Sequence, residues 1–155
     1  MLILAALLAG CAAVMNDTIV FQGTSMLPAI QDGERLAVER FGPGDKMDLQ
    51  RGDVIAFRYP EDPSKSYLKR VIALPGETVE IRDGAVYIDG SRLDEPYVEP
   101  ERNVARMSYP PLFVKERHYY VLGDNRDASS DSRIWGLVPE ANVYARVISN
   151  RQKSR

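Results

Sequence analysis

Two residues far apart in the chain, Ser25 in Gly23-Thr24-Ser25-Met26-Leu27-Pro28 and Lys69 in Tyr67-Leu68-Lys69-Arg70, could together make an activated nucleophile. A serine hydroxyl attacks poorly until a neighbouring group takes its proton. Histidine is the usual base, but the chain has one, His118, inside the strand-like run His118-Tyr119-Tyr120-Val121-Leu122. There a structural ring with satisfied hydrogen bonds is expected. A buried lysine is the other solution, as in Ser-Lys variants of the catalytic triad. A free lysine titrates near about 10.4, so work at neutral pH requires a fall of roughly 2–4. Burial must disfavour the ammonium by roughly 3–5 kcal/mol to achieve it.

A third segment, Gly123-Asp124-Asn125-Arg126-Asp127-Ala128-Ser129-Ser130-Asp131-Ser132-Arg133, is dense in polar groups that could orient such a pair. The Ser129 hydroxyl could aim the amine without restoring its charge, whereas a carboxylate beside it would raise the pKa. Asp124 and Asp131 are therefore assigned to ion pairs with Arg70, Arg126 or Arg133. Taken singly, each segment also has a bland reading: a loop serine, a solvated lysine, a polar turn.

The elements that must hold these groups are strands. Thr18-Ile19-Val20-Phe21 leads into the serine segment, and Arg35 to Phe41 and Asp53 to Tyr59 alternate in the period-two manner of a half-buried strand. Another strand is expected from Tyr67 to Leu74, ended by Pro75-Gly76. Its alternation puts Tyr67, Lys69 and Val71 on one face, which suggests a partly dry lysine. Thr78 to Arg82, Asp83-Gly84 and Ala85 to Asp89 form the clearest hairpin, since both residues of a type I′ turn need positive φ. Residues 94–117, rich in Pro and charge, read as a loop, and Tyr119 to Leu122 and Val143 to Ser149 supply the last strands. The expected fold class is all-β. Arg51-Gly52-Asp53, despite its likeness to an adhesion tripeptide, reads as the turn before a strand. Trp135 fits an interfacial ring or a core position equally.

With 155 residues the chain can bury one proper core, and a net charge of −2 without a clustered basic face argues against a nucleic-acid partner. One cysteine, Cys11, excludes an internal disulfide, and one histidine argues against a histidine-built metal site. Leu2 to Met15 is uncharged. As a helix it would span about 20 Å, short of a hydrocarbon core of about 30 Å. It is read as the end of a membrane anchor. A cleaved secretory signal lacking a basic start, a lipoprotein box at Leu8-Ala9-Gly10-Cys11 and a buried helix are the alternatives. The expected division is 1–17 anchor, 18–150 catalytic β domain and 151–155 polar tail.

Gly23 to Pro28, Arg51-Gly52-Asp53-Val54-Ile55-Ala56-Phe57, Tyr67 to Glu77 and Gly123 to Gly136 resemble, in order, the boxes of bacterial type I signal peptidases. The resemblance runs from about Ile19 to the last strand. It implies a coiled antiparallel β domain beside the membrane that cuts exported precursors after small residues in an Ala-X-Ala pattern. It further implies Ser25 as nucleophile, Lys69 as general base and Ser129 as the lysine-orienting serine. Phe21, Ile30 and Tyr67 would line the pocket for the residue before the cut, and Ile19, Leu36, Ala56 and Leu68 the pocket two residues upstream. The oxyanion would meet the backbone N–H of Ser25. Gly23 stands where many relatives carry a second, hydroxyl donor, so its backbone is the candidate replacement. The implied protein is a monomer needing neither metal nor organic cofactor. Its partners would be signal peptides and membrane lipid. It would cross the bacterial cytoplasmic membrane once, with the catalytic domain outside. Two rivals remain: another Ser-Lys processing protease of this fold, pilin-specific or self-cleaving, and a non-catalytic β-domain lipoprotein modified at Cys11.

Overall fold

The computed structural model describes residues 17–148, so the apolar run with Cys11, the expected N-terminal helix and the 151–155 tail lie outside it. Within the described residues the chain is mostly β. In chain order the strands are β1 (Asp17–Val20), β2 (Arg35–Arg40), β3 (Val54–Tyr59), β4 (Asp62–Ala73), β5 (Thr78–Arg82), β6 (Ala85–Ile88), β7 (Ser91–Arg92), β8 (Tyr109–Phe113), β9 (His118–Leu122), β10 (Val138–Pro139) and β11 (Val143–Val147). One short α-helical turn, α1 (Ser132–Trp135), begins within the end of the polar segment. They form two antiparallel sheets, a seven-stranded one in the order β1-β2-β11-β3-β4-β9-β10 and a four-stranded one in the order β7-β6-β5-β8.

Local chemistry explains the tight turns. Asp83 and Gly84 take φ of 47° and 77° between β5 and β6, and Asp89 and Gly90 take 49° and 82° between β6 and β7. Both pairs are the Asp-Gly connection that matches strand twist. The sequence reading missed β8, because Pro110-Pro111 argues against a strand. The strand survives because it is an edge, pairing with β5 on one side only, where a missing N–H costs little. It also missed β10 and started β4 five residues late, since the outer half of that hairpin is exposed and lacks an apolar face.

Three apolar clusters hold the sheets, and β4 feeds all of them. Leu68 enters the cluster under the serine loop, with Phe21, Met26, Ile30, Leu36, Ala56 and Ala145. Val71 joins Ile55, Phe57, Val121 and Val138, while Ile72 and Ala73 pack with Val79, Ile81, Val86 and Leu122 against the four-stranded sheet. Lys69 thus sits in the strand at the junction of three dry regions. Each fully buried Leu, Ile or Phe contributes about 1.5–3 kcal/mol, so the strand is held well enough to carry a buried polar side chain.

Candidate active site

Ser25 stands in a loop closed at its base by the pair Phe21 N–H to Glu34 O (2.9 Å) and Gly33 N–H to Phe21 O (2.8 Å). Met26, fully buried, plugs the loop into the cluster below it. Gly23 takes φ of +115°, a backbone shape that side chains resist, and its N–H donates to Asp32 Oδ1 at 2.7 Å. That amide is therefore occupied by Asp32, which removes Gly23 as a free second oxyanion donor. The Ser25 N–H has no acceptor among the described residues. On the far side Asn125 clamps the loop, its Nδ2 donating to Thr24 O (3.1 Å) and its backbone N–H to Ser25 O (3.0 Å).

Lys69 Nζ donates to Ser25 Oγ at 2.8 Å and to Leu68 O at 3.1 Å. The residue is 3% exposed, and its nitrogen lies 5.4 Å from the Tyr67 ring centroid. Burial pulls its pKa down to about 8, against the fields of Asp131 and Asp124, with Arg133 adding to the depression. A hydroxyl in contact with an amine of that basicity can be deprotonated near neutral pH.

The polar segment is a web of buried charge. Asp124 takes a two-pronged bond from Arg70 (Nε 2.8 Å, Nη2 2.6 Å), and Arg70 stacks 4.2 Å from the Tyr97 ring centroid. Asp131 pairs with Arg133 through Nε (2.8 Å) and Nη2 (2.9 Å). Arg126 pairs with Glu95 (2.6 Å), a partner outside the segment. The Ser129 hydroxyl donates to Asp131 Oδ2 at 2.7 Å, so its hydrogen goes to the carboxylate, and the bonds of Lys69 go to Ser25 and Leu68.

A groove of about 410 Å³ opens over Ser25 and Lys69. Of the residues expected along it, Ile19, Phe21, Ala56, Tyr67 and Leu68 line it. Ile30 and Leu36 do not; both are buried in the cluster that supports its floor, and they shape the groove only through that packing. Sequence reasoning passed over Tyr144, Ala128, Ser130 and the clamp Asn125, which no residue type distinguishes from ordinary loop or strand positions. His118 bonds the Glu116 carbonyl (2.8 Å) at the start of β9 and does not line the groove. Trp135 lies among the rings of Phe57, Tyr59 and Tyr67, stacked on the last at 6.4 Å. Arg51 holds Glu77 through both terminal guanidinium nitrogens, Nη1 and Nη2, and Gly52 turns with φ of 93°, which makes the tripeptide a turn before β3.

Gly123 is where these parts touch. A Cβ there would come within 2.5 Å of Ser25 O and closer still to Ser129 Oγ. Gly123→Ala must therefore move the serine loop or the polar segment. Turnover is expected to drop at least about a hundredfold, since small misplacement of reacting groups costs about that much. The parallel check is a thermal melt; unchanged turnover would mean that the two segments have slack.

The family model described as "Signal peptidase, peptidase S26" matches residues 1–150. A probable signal peptidase I-1 of Synechocystis sp. is 39% identical over 137 residues, covering 80% of this chain and 65% of that one. A signal peptidase I of Bacillus licheniformis is 35% identical over 143 residues, covering 84% and 74%. The chain thus spans a little under two thirds of the Synechocystis protein's length. The crystal structure of a signal peptidase I from Enterococcus faecalis V583 superposes with a TM-score of 0.56 at 40% identity, covering 64% of this chain and 96% of that one.

Proposed function

We propose that this chain, which belongs to the signal peptidase family, peptidase S26, is a serine endopeptidase that cuts signal peptides from exported precursors after Ala-X-Ala. The observation that carries this reading is the 2.8 Å contact between a buried lysine of lowered pKa and a loop serine at the floor of an open groove. Ser25 Oγ attacks the carbonyl carbon of the residue before the cut while its proton passes to neutral Lys69. The oxyanion meets the Ser25 N–H. The new ammonium gives its proton to the leaving amine, the C–N bond breaks and an acyl ester remains on Ser25. Water then attacks the ester with Lys69 again as base, releasing the signal peptide and restoring the serine. Phe21 and Tyr67 for the residue before the cut, and Ala56 and Leu68 for the third residue before it, line the groove with apolar walls and would favour alanine by excluding bulk, an effect of about 1–3 kcal/mol per methylene.

Attachment to the bacterial cytoplasmic membrane, with the β domain outside, belongs to the same proposal and rests on the uncharged residues 2–15. Among the described residues no helix is long and apolar enough to cross a membrane. The test is cleavage of a precursor by the full chain in detergent, followed across pH. Because the base form of Lys69 is the active one, kcat/KM is expected to rise about tenfold per pH unit below pH 8 and to level off above it. Retained cleavage in both Ser25→Ala and Lys69→Ala would end this reading.

A further inference from the structure

Strand alternation carries the groove beyond its apolar floor. On β3, Val54 and Ala56 face the cluster under the serine loop, whereas Ile55 and Phe57 enter the cluster around β9. The same period sets Arg58 on Ala56's face, about 7 Å further along the strand. Its guanidinium lies 5.9 Å from the ring centroid of Tyr144. Tyr144 lines the groove, as does Ser66, the residue opposite Arg58 in the β3–β4 ladder. Arg58 is exposed, and among the described residues its side chain makes one long hydrogen bond, 3.5 Å to Pro63 O. The acids of the adjoining hairpin are engaged elsewhere: Glu61 accepts from the Tyr59 hydroxyl (2.6 Å), and Asp62 from Ser64 and Lys65. Among the described residues Arg58 is thus a cation without a carboxylate partner, set beside the groove residues Ser66 and Tyr144 and braced by the ring of the latter.

We infer that Arg58, backed by Tyr144, is a specificity-determining subsite for an acidic side chain at the fifth residue before the cut. This rests on the reading above, in which the third residue before the cut sits over Ala56. An extended substrate repeats its side chains every second residue, so the fifth comes over Arg58. An exposed charge pair is modest in water, and replacing attraction with repulsion about doubles the contrast. The wild-type chain is expected to favour glutamate over lysine at that position by about fivefold, less at high salt.

Full-length protein in detergent is given peptides with an apolar run ending in Ala-X-Ala and glutamate, glutamine or lysine at the fifth residue before the cut. In Arg58→Ala the glutamate-to-lysine ratio of kcat/KM should fall to about one. Arg58→Glu should invert the ratio and Arg58→Lys should keep it. A merely structural arginine would slow all three peptides together and leave the ratio intact, and that result overturns the inference. Fluorescence-anisotropy binding of the same peptides to Ser25→Ala separates this inference from the proposed reaction. Charge-selective binding without cleavage by the wild-type chain would refute the reaction and uphold the subsite. Binding without charge preference, or none, would overturn the subsite whatever the cleavage result.

Discussion

Lys69→Met is expected to abolish turnover and yet make the protein harder to unfold. Loss of a positioned general base costs about 10²–10⁴-fold in rate, and the thioether has no proton-accepting nitrogen to replace it. Stability should move the other way. The folded chain holds the lysine proton with a pKa of about 8, against an ordinary 10.5. The unfolded chain therefore binds more protons between those values, and stability rises with pH across that window. Below pH 8 the full penalty of burying the ammonium applies, about 3 kcal/mol at about 1.4 kcal/mol per pH unit. Methionine fills similar space without that charge, so at pH 7 the melting temperature should rise by about 5–10 °C. The gain should fade as pH rises from 8 toward 10.5 and vanish above it, where the wild-type lysine is neutral in both states. Melts at pH 7 and pH 10 check both halves. A variant less stable than wild type at pH 7 would show that the ammonium is comfortably solvated.

Asp131→Ala carries the second large effect, this time against folding. Asp131 is fully buried and accepts hydrogen bonds from the Gly123 N–H, the Ser129 hydroxyl and the N–H and side chain of Arg133. Truncation leaves the mostly buried guanidinium of Arg133 uncompensated, which costs about 3–5 kcal/mol. Urea melts should register that loss; a change under about 1 kcal/mol would mean that water takes over those bonds. The milder Asp131→Asn probes the chemistry. Asp131 raises the lysine pKa through space although its direct partner is Arg133. With that charge removed, the rising limb of the rate profile should move to lower pH.

How far the sequence revealed the site depends on which physical signal each residue left. The Asp83-Gly84 turn was legible because positive φ at two successive residues admits few residue types. Lys69 was legible in part: alternation put it beside Tyr67 and Val71, but could not show that Leu68, Val71 and Ile72 lead into three separate clusters. Ile30 and Leu36 have the right apolar character for a pocket wall, and only tertiary packing tells a wall from the layer beneath it. Asp32 and Asn125, which fix the serine loop, are polar residues in turn-rich segments where hydrogen-bond direction leaves no trace in composition. The Glu95 partner of Arg126 was hidden for the same reason.

The last described strand occupies the middle of the large sheet, since β11 lies between β2 and β3 and bonds to both. A ribosome or a translocation channel delivers that strand after every other part of the domain, so β2 and β3 wait with open edges until it arrives. The Asn125 clamp on the serine loop, 101 residues away along the chain, is likewise a late arrival. A partly emerged chain therefore has its hydroxyl and its amine but not the frame that presses them together.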